Sequence, residues 1–137
     1  MRLASGDVRV MTTVLIVEDE SQVRVFAESY LRRHGHRTIS AASEKQALAL
    51  LDAGEGVDVL FAEIELQGDG LAGVRLARQA ARRRPGMKVL YASDHHVTDG
   101  LKPLLVVPSE VLEKPYTVDE LEAGVTGEVA AVPRRGD

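Results

Sequence analysis

Glu18–Asp19, Glu63 and Lys114 are the residues of this 137-residue chain whose types and placement suit chemistry. Each follows a short apolar run: Val14 to Val17 before the acid pair, Val59 to Ala62 before Glu63, and Val111–Leu112 just ahead of Lys114. A further run, Val89 to Ala92, ends on Ser93. Carboxylates brought close together repel and raise one another's pKa unless a cation neutralises them. Hard oxygen donors of this kind suit Mg²⁺, which keeps several waters and takes one or two carboxylates directly. A lysine facing them can pair with a carboxylate or with a bound phosphoryl group. Pro115 makes the Lys114–Pro115 bond a candidate cis peptide in a tight turn, which would fix the direction of the lysine.

These residues converge only if the apolar runs lie side by side. Val14–Leu15–Ile16–Val17 is wholly apolar and mostly β-branched, the pattern of a strand buried on both faces. Val23, Phe26, Ala27, Tyr30 and Leu31 follow at helical spacing and Gly35 closes them. Arg37–Thr38–Ile39 reads as a second strand, and Ser43 as the cap of a helix carrying Ala47, Leu48 and Leu51. The third strand ends near Glu63; a glycine-rich loop leads to a helix marked by Val74, Ala77 and Ala81 and stopped at Pro85–Gly86. Lys88 to Ala92 is the fourth strand and Val111–Leu112 the fifth. Between them Gly100, Pro103 and Pro108 leave room for only a short or broken helix. Thr117 and Glu120 form a capping box ahead of Val118, Leu121, Val125 and Val129. Strands alternating with helices imply an α/β fold, a doubly wound five-stranded parallel sheet with helices on both faces. Functional groups in such sheets gather outside the carboxyl ends of the strands.

Composition narrows the function classes. A net charge of −4 argues against nucleic-acid backbone binding, and Arg82–Arg83–Arg84 reads as a solvent-facing helix C-terminus rather than a phosphate-binding patch. No apolar run approaches the ~20 residues of a membrane span. No secretory signal opens the chain, and the absence of cysteine fits a reducing cytoplasm. Residues 1–11 read as an extension, 12–130 as one domain and 131–137 as a tail.

The stretches VLIVEDE (14–20), LFAEIELQG (60–68), VLYAS (89–93) and VLEKPYTVDEL (111–121) resemble the receiver domain of two-component response regulators. The resemblance spans roughly residues 12–130 and implies the CheY-like (flavodoxin-like) sheet, strand order 2-1-3-4-5. It implies transfer of a phosphoryl group from a histidine kinase to a third-strand aspartate, with Mg²⁺ held by the first-strand acids. On that pattern Glu18 and Asp19 match the metal-binding acids and the backbone carbonyl of Glu65 a further metal ligand. Lys114 matches the sensing lysine, Pro115 its cis-proline partner, and Gly73 the glycine entering the third helix. Four positions depart. Glu63 stands at the phosphoacceptor position. Ala92 stands where the family has its signalling hydroxyl, with Ser93 one place late. Val111 occupies the aromatic switch position, and Gln67 replaces a common loop proline.

The departures point to a stand-alone, degenerate receiver that is not phosphorylated normally, is no enzyme, and acts by contact with a signalling protein, a histidine kinase or a downstream effector. It is expected to be a monomer or a weak dimer. In the family the contact face is made by the fourth helix, fifth strand and fifth helix; here that fourth helix is interrupted. A glutamate-tolerant phosphoacceptor is the alternative, and a small Mg²⁺-dependent phosphatase ranks below it because the chain lacks an Asp-x-Asp motif after the first strand. Glu18–Asp19–Glu20 also reads as a solvated turn, Glu65 as an exposed loop residue, and Asp94–His95–His96 as a loop whose adjacent histidines diverge rather than bind metal. Nothing in the sequence fixes Asp69 beside Lys114.

Overall fold

The structure, a computed structural model, describes residues 12–127. In chain order its elements are β1 (Thr13–Val17), α1 (Ser21–Arg33), β2 (Arg37–Ala41), α2 (Glu44–Asp52), β3 (Val59–Glu63), α3 (Ala72–Arg83), β4 (Lys88–Ser93), β5 (Ser109–Glu113) and α4 (Val118–Thr126). All strand pairings are parallel, and the order β2-β1-β3-β4-β5 is the one the resemblance implies. The first eleven residues, Val129 and the tail lie outside the described residues, as does the C-terminal end, residue 130, of the domain read from sequence. No helix among the described residues is long and apolar enough to cross a membrane.

Alternation along each strand divides the core in two. Leu15 and Val17 of β1, with Leu60 and Ala62 of β3, face α2 and α3 and pack with Ala47, Leu51, Leu76 and Ala77. Val14 and Ile16, with Val59 and Phe61, face the other way onto Ala27, Tyr30 and Leu31 of α1 and Leu121 and Val125 of α4. Each valine, leucine or isoleucine so buried contributes about 1.5–3 kcal/mol. The face read for α1 is corrected at one position: Phe26 is 54% exposed, beside Val25 at 54%. At 100° per residue Phe26 lies at the edge of a stripe centred on Ala27, Tyr30 and Leu31, so the rotation that buries those three leaves it outside.

The caps agree with the sequence. Ser43 Oγ accepts from Gln46 N at 3.1 Å, and the Thr117–Glu120 box closes at 3.0 and 2.8 Å. The arginine run at the end of α3 is only partly the solvent-facing terminus expected. Arg83 Nε donates to Asp52 Oδ1 at 2.6 Å, and Arg84 Nη2 donates to the carbonyls of Leu51 and Glu55 at 2.8 and 3.1 Å. Arg84 thus adds a second donor to Leu51 O, which already accepts from Gly54 N at 3.1 Å, and the two arginines fasten α2 to α3. On the other side of the sheet, buried His36 pairs through Nε2 with Glu122 of α4 at 3.0 Å.

From Asp94 to Pro108 the chain forms a single 3₁₀ turn, Lys102–Leu104. Pro103 at its start and Pro108, which follows a cis bond, restrict helix there as the sequence suggests. The segment is nonetheless fastened. Val106 N donates to the hydroxyl of buried Tyr91 at 3.0 Å, and Arg78 Nε donates to Leu104 O at 3.0 Å. β5 begins two residues earlier than its apolar pair suggests, because Ser109 and Glu110 pair with Val89 and Leu90.

Candidate functional site

The carboxyl ends of β1, β3, β4 and β5 meet at one edge of the sheet. Glu18 follows β1 and is fixed by its amide, which donates to Ala41 O at 3.1 Å. Glu63 closes β3, directly opposite Ala92 of β4, and both are buried. Lys114 follows β5, its amide donating to Ser93 O at 2.8 Å, and its bond to Pro115 is cis. Gly73 lets α3 start against this edge. Its amide donates to Ile64 O at 2.8 Å, and a Cβ there would fall 1.9 Å from the Glu63 carbonyl oxygen.

The side chains converge on the lysine. Lys114 Nζ lies 3.0 Å from Glu63 Oε2, 3.6 Å from Glu18 Oε1 and 3.5 Å from Asp94 Oδ1. The Glu63 and Glu18 side chains are each only 7% exposed, whereas Asp94 is 61% exposed and adds little through solvent. Burial is the main force on both glutamates. It pushes Glu63 up to about 7, with Glu18 adding to the rise and Lys114 opposing it. Glu18 is raised as well, by burial, against the hydrogen bond from Glu20 N at 3.0 Å and the charge of Lys114. Burial alone would lower Lys114; Glu63, Glu18 and Asp94 together hold it above the ordinary lysine range.

The remaining sequence candidates divide between this cluster and its surroundings. Ala92 offers only a methyl group to the cluster. Ser93, one place along the pleat, donates its hydroxyl proton to His95 O at 2.6 Å and accepts from His95 N at 3.2 Å, so it belongs to the turn that follows. Asp19 is not among the partners of Lys114; its Oδ2 accepts from Gln67 N at 2.7 Å. Glu65 is exposed in the loop. Val111 is half-buried against the α2–α3 core. His96 Nδ1 pairs with Glu113 at 2.8 Å.

Sequence reading did not find Tyr116. Two residues past Lys114, it stands edge-on to Phe61 with ring centroids 6.1 Å apart. With Val23 and Ala27 it walls the recess that also contains Glu63 and Ala92, and burial pushes its phenol up to about 12. The only signal was an aromatic beside the lysine, which acquires meaning once β5 and α4 are placed.

The donor atoms are the hard oxygens Mg²⁺ prefers, but their arrangement does not fit the ion. One ammonium already lies against both buried carboxylates, and Asp19 is directed to a backbone amide.

A sequence profile of the response regulator receiver domain matches residues 14–126. A putative NtrX-like response regulator of Rickettsia bellii is 30% identical over 109 residues, 79% of this chain and 23% of that protein. The chain thus spans about a quarter of the length of that relative. A response regulator receiver protein from Sinorhizobium medicae, a solved structure, superposes with a TM-score of 0.77 at 27% identity, covering 85% of this chain and 93% of that one. The response regulator TrrA of Thermotoga maritima, solved in complex with Mg(2+)-BeF, shares the fold at a TM-score of 0.72 and 22% identity, over 85% of this chain and 98% of that one. The motifs at the four strand ends, the strand order and a family match over most of the chain lead to one conclusion: this chain belongs to the response regulator receiver domain family of two-component signalling.

Proposed function

We propose that this chain is a receiver whose phosphoacceptor site is closed, and that it acts by binding a signalling protein in one constant state. The observation that carries the reading is the 3.0 Å contact of Glu63 Oε2 with Lys114 Nζ, opposite an alanine. In-line phosphoryl transfer depends on positioning and on charge neutralised at the transferred oxygens. Relative to aspartate, the extra methylene advances the carboxylate by roughly 1.5 Å of bond length. It spends that reach on the lysine. A displacement of about 1 Å can cost on the order of 10²-fold in such a reaction. Ala92 further removes a donor worth about 1 kcal/mol.

Glu18, Asp19 and the Glu65 carbonyl keep the positions of family metal ligands without the family's job, and Ala92 and Val111 interrupt the route by which Lys114 would report a phosphoryl group. The partner is a histidine kinase or a downstream effector, the chain has no turnover of its own, and it works as a monomer or weak dimer in the cytoplasm. Incubation with a small phosphodonor and Mg²⁺, followed by intact-mass measurement, tests this: no phosphoryl adduct is expected, and a stoichiometric adduct on Glu63 overturns it.

The same contact favours a second reading, in which Glu63 partly imitates a phosphorylated aspartate. It carries one negative charge, and Ala92 has no hydroxyl with which to answer it. Under this reading Glu63→Gln weakens partner binding; under the first it leaves affinity unchanged.

A further inference from the structure

The loop between β3 and α3 is a tight hairpin that the sequence did not announce. Leu66 N donates to Asp69 O at 3.1 Å and Asp69 N returns the bond to Leu66 O at 2.9 Å. The two residues between them, Gln67 and Gly68, have φ of +53° and +81°. Two successive positive φ values are the mark of a two-residue type I′ turn. Gln67 is the one non-glycine residue with positive φ among the described residues. That backbone costs an ordinary side chain free energy and persists where neighbouring contacts fix it. The family's proline, with φ fixed near −65°, cannot take this position.

The contact that fixes it comes from Asp19, whose Oδ2 accepts from Gln67 N at 2.7 Å. A carboxylate accepting from an amide at that distance makes one of the stronger hydrogen bonds available to a backbone. The far side of the turn is fastened independently: Asp69 accepts from Leu71 N at 3.0 Å and from Arg75 Nη2 at 2.8 Å, and Arg75 also holds Glu44 at 2.7 Å. Leu66, 2% exposed, anchors the base in the α2–α3 core.

We infer that Asp19 is a positioning residue for the Leu66–Asp69 hairpin rather than a metal ligand, and that the loop beside the acid pocket holds its shape without a divalent cation. The inference rests on the closed-site reading, because Lys114 supplies the positive charge at Glu18 and Glu63 that a cation would otherwise bring. Two jobs that one ion would perform, neutralising the acids and ordering the loop, are divided here between Lys114 and Asp19.

The test is amide hydrogen exchange at Gln67, followed by NMR in the wild type, Asp19→Ala and Asp19→Asn, each with and without millimolar Mg²⁺. Core amides of Leu15 and Leu60 in the same spectra report whether each variant is folded. The Gln67 amide is expected to be protected in the wild type and indifferent to Mg²⁺. It should exchange about tenfold faster in Asp19→Ala, a loss typical of one hydrogen bond, and recover in part in Asp19→Asn, whose amide oxygen still accepts. A saturable shift or accelerated exchange of Gln67 on adding Mg²⁺ overturns the inference, as does wild-type protection in Asp19→Ala. Failure of the closed-site reading appears elsewhere, as a phosphoryl adduct on Glu63, so the two are distinguishable.

Discussion

β3 and β5 flank β4 and deliver the two halves of one ion pair, yet they are built differently. All five residues of β3 are buried, including Glu63; in β5 the first four are only half-buried and Glu113 is exposed. β3 lies inside the sheet under helices on both faces. β5 is an edge strand, and the link into it carries one three-residue 3₁₀ turn where a covering helix would pack. The carboxylate is therefore set on a fully buried strand, while the lysine arrives from the thin edge of the sheet. In the family, that thin side is the usual contact face. A fixed Glu63 with no hydroxyl between it and that face has little means of altering it, which accords with a constant-state module.

The contrast can be broken by measurement. Leu60→Ala, in the middle of β3, is expected to cost about 4 kcal/mol in urea denaturation, within the range for a buried leucine truncated to alanine. Val111→Ala in β5 is the smallest expected effect, about 1 kcal/mol, since its side chain is only partly buried at the edge of the core. Equal costs would mean that the edge strand is as firmly held as the centre. Between these extremes lies the pH response. Folding raises Glu63 from its ordinary 4.5 to about 7, so between those values the folded chain holds a proton that the unfolded chain releases. The contribution of this group to stability is then fullest below about 4.5 and is lost as pH rises through about 7. Denaturation midpoints across that window should decline in the wild type and flatten in Glu63→Gln; an equal slope in both would place the titration elsewhere. Tyr91→Phe ranks next. It leaves Val106 N–H without its acceptor and should cost about 1 kcal/mol, with faster amide exchange confined to the 94–108 segment.

Much of this was legible in the chain because it rests on local pattern. The apolar runs of β1 and β3 specify strands covered on both sides, and the residues just past them fall at the sheet's carboxyl edge whatever else the chain does. Ser43 and Thr117–Glu120 announce their caps within four residues. What the sequence hid depends on distant partners. Arg83 and Arg84 look like a solvated charge run until α2 is placed beneath them. Tyr91 reads as one more strand residue until its hydroxyl meets Val106, fifteen positions on. Gln67 registers only as a missing proline, because its left-handed backbone and its bond to Asp19 need β1 and β3 side by side. Phe26 fits the helical stripe by spacing and is left outside by the packing angle.

The central claim is that Glu63, engaged by Lys114, closes the site. It is tested most directly by treating the wild type and Glu63→Asp in parallel with Mg²⁺ and a small phosphodonor, then reading intact mass. No adduct is expected on the wild type and a measurable one on Glu63→Asp, whose shorter carboxylate withdraws from the lysine and leaves Glu18 free to hold Mg²⁺. A wild-type adduct on Glu63, formed as readily as on the aspartate variant, would contradict it.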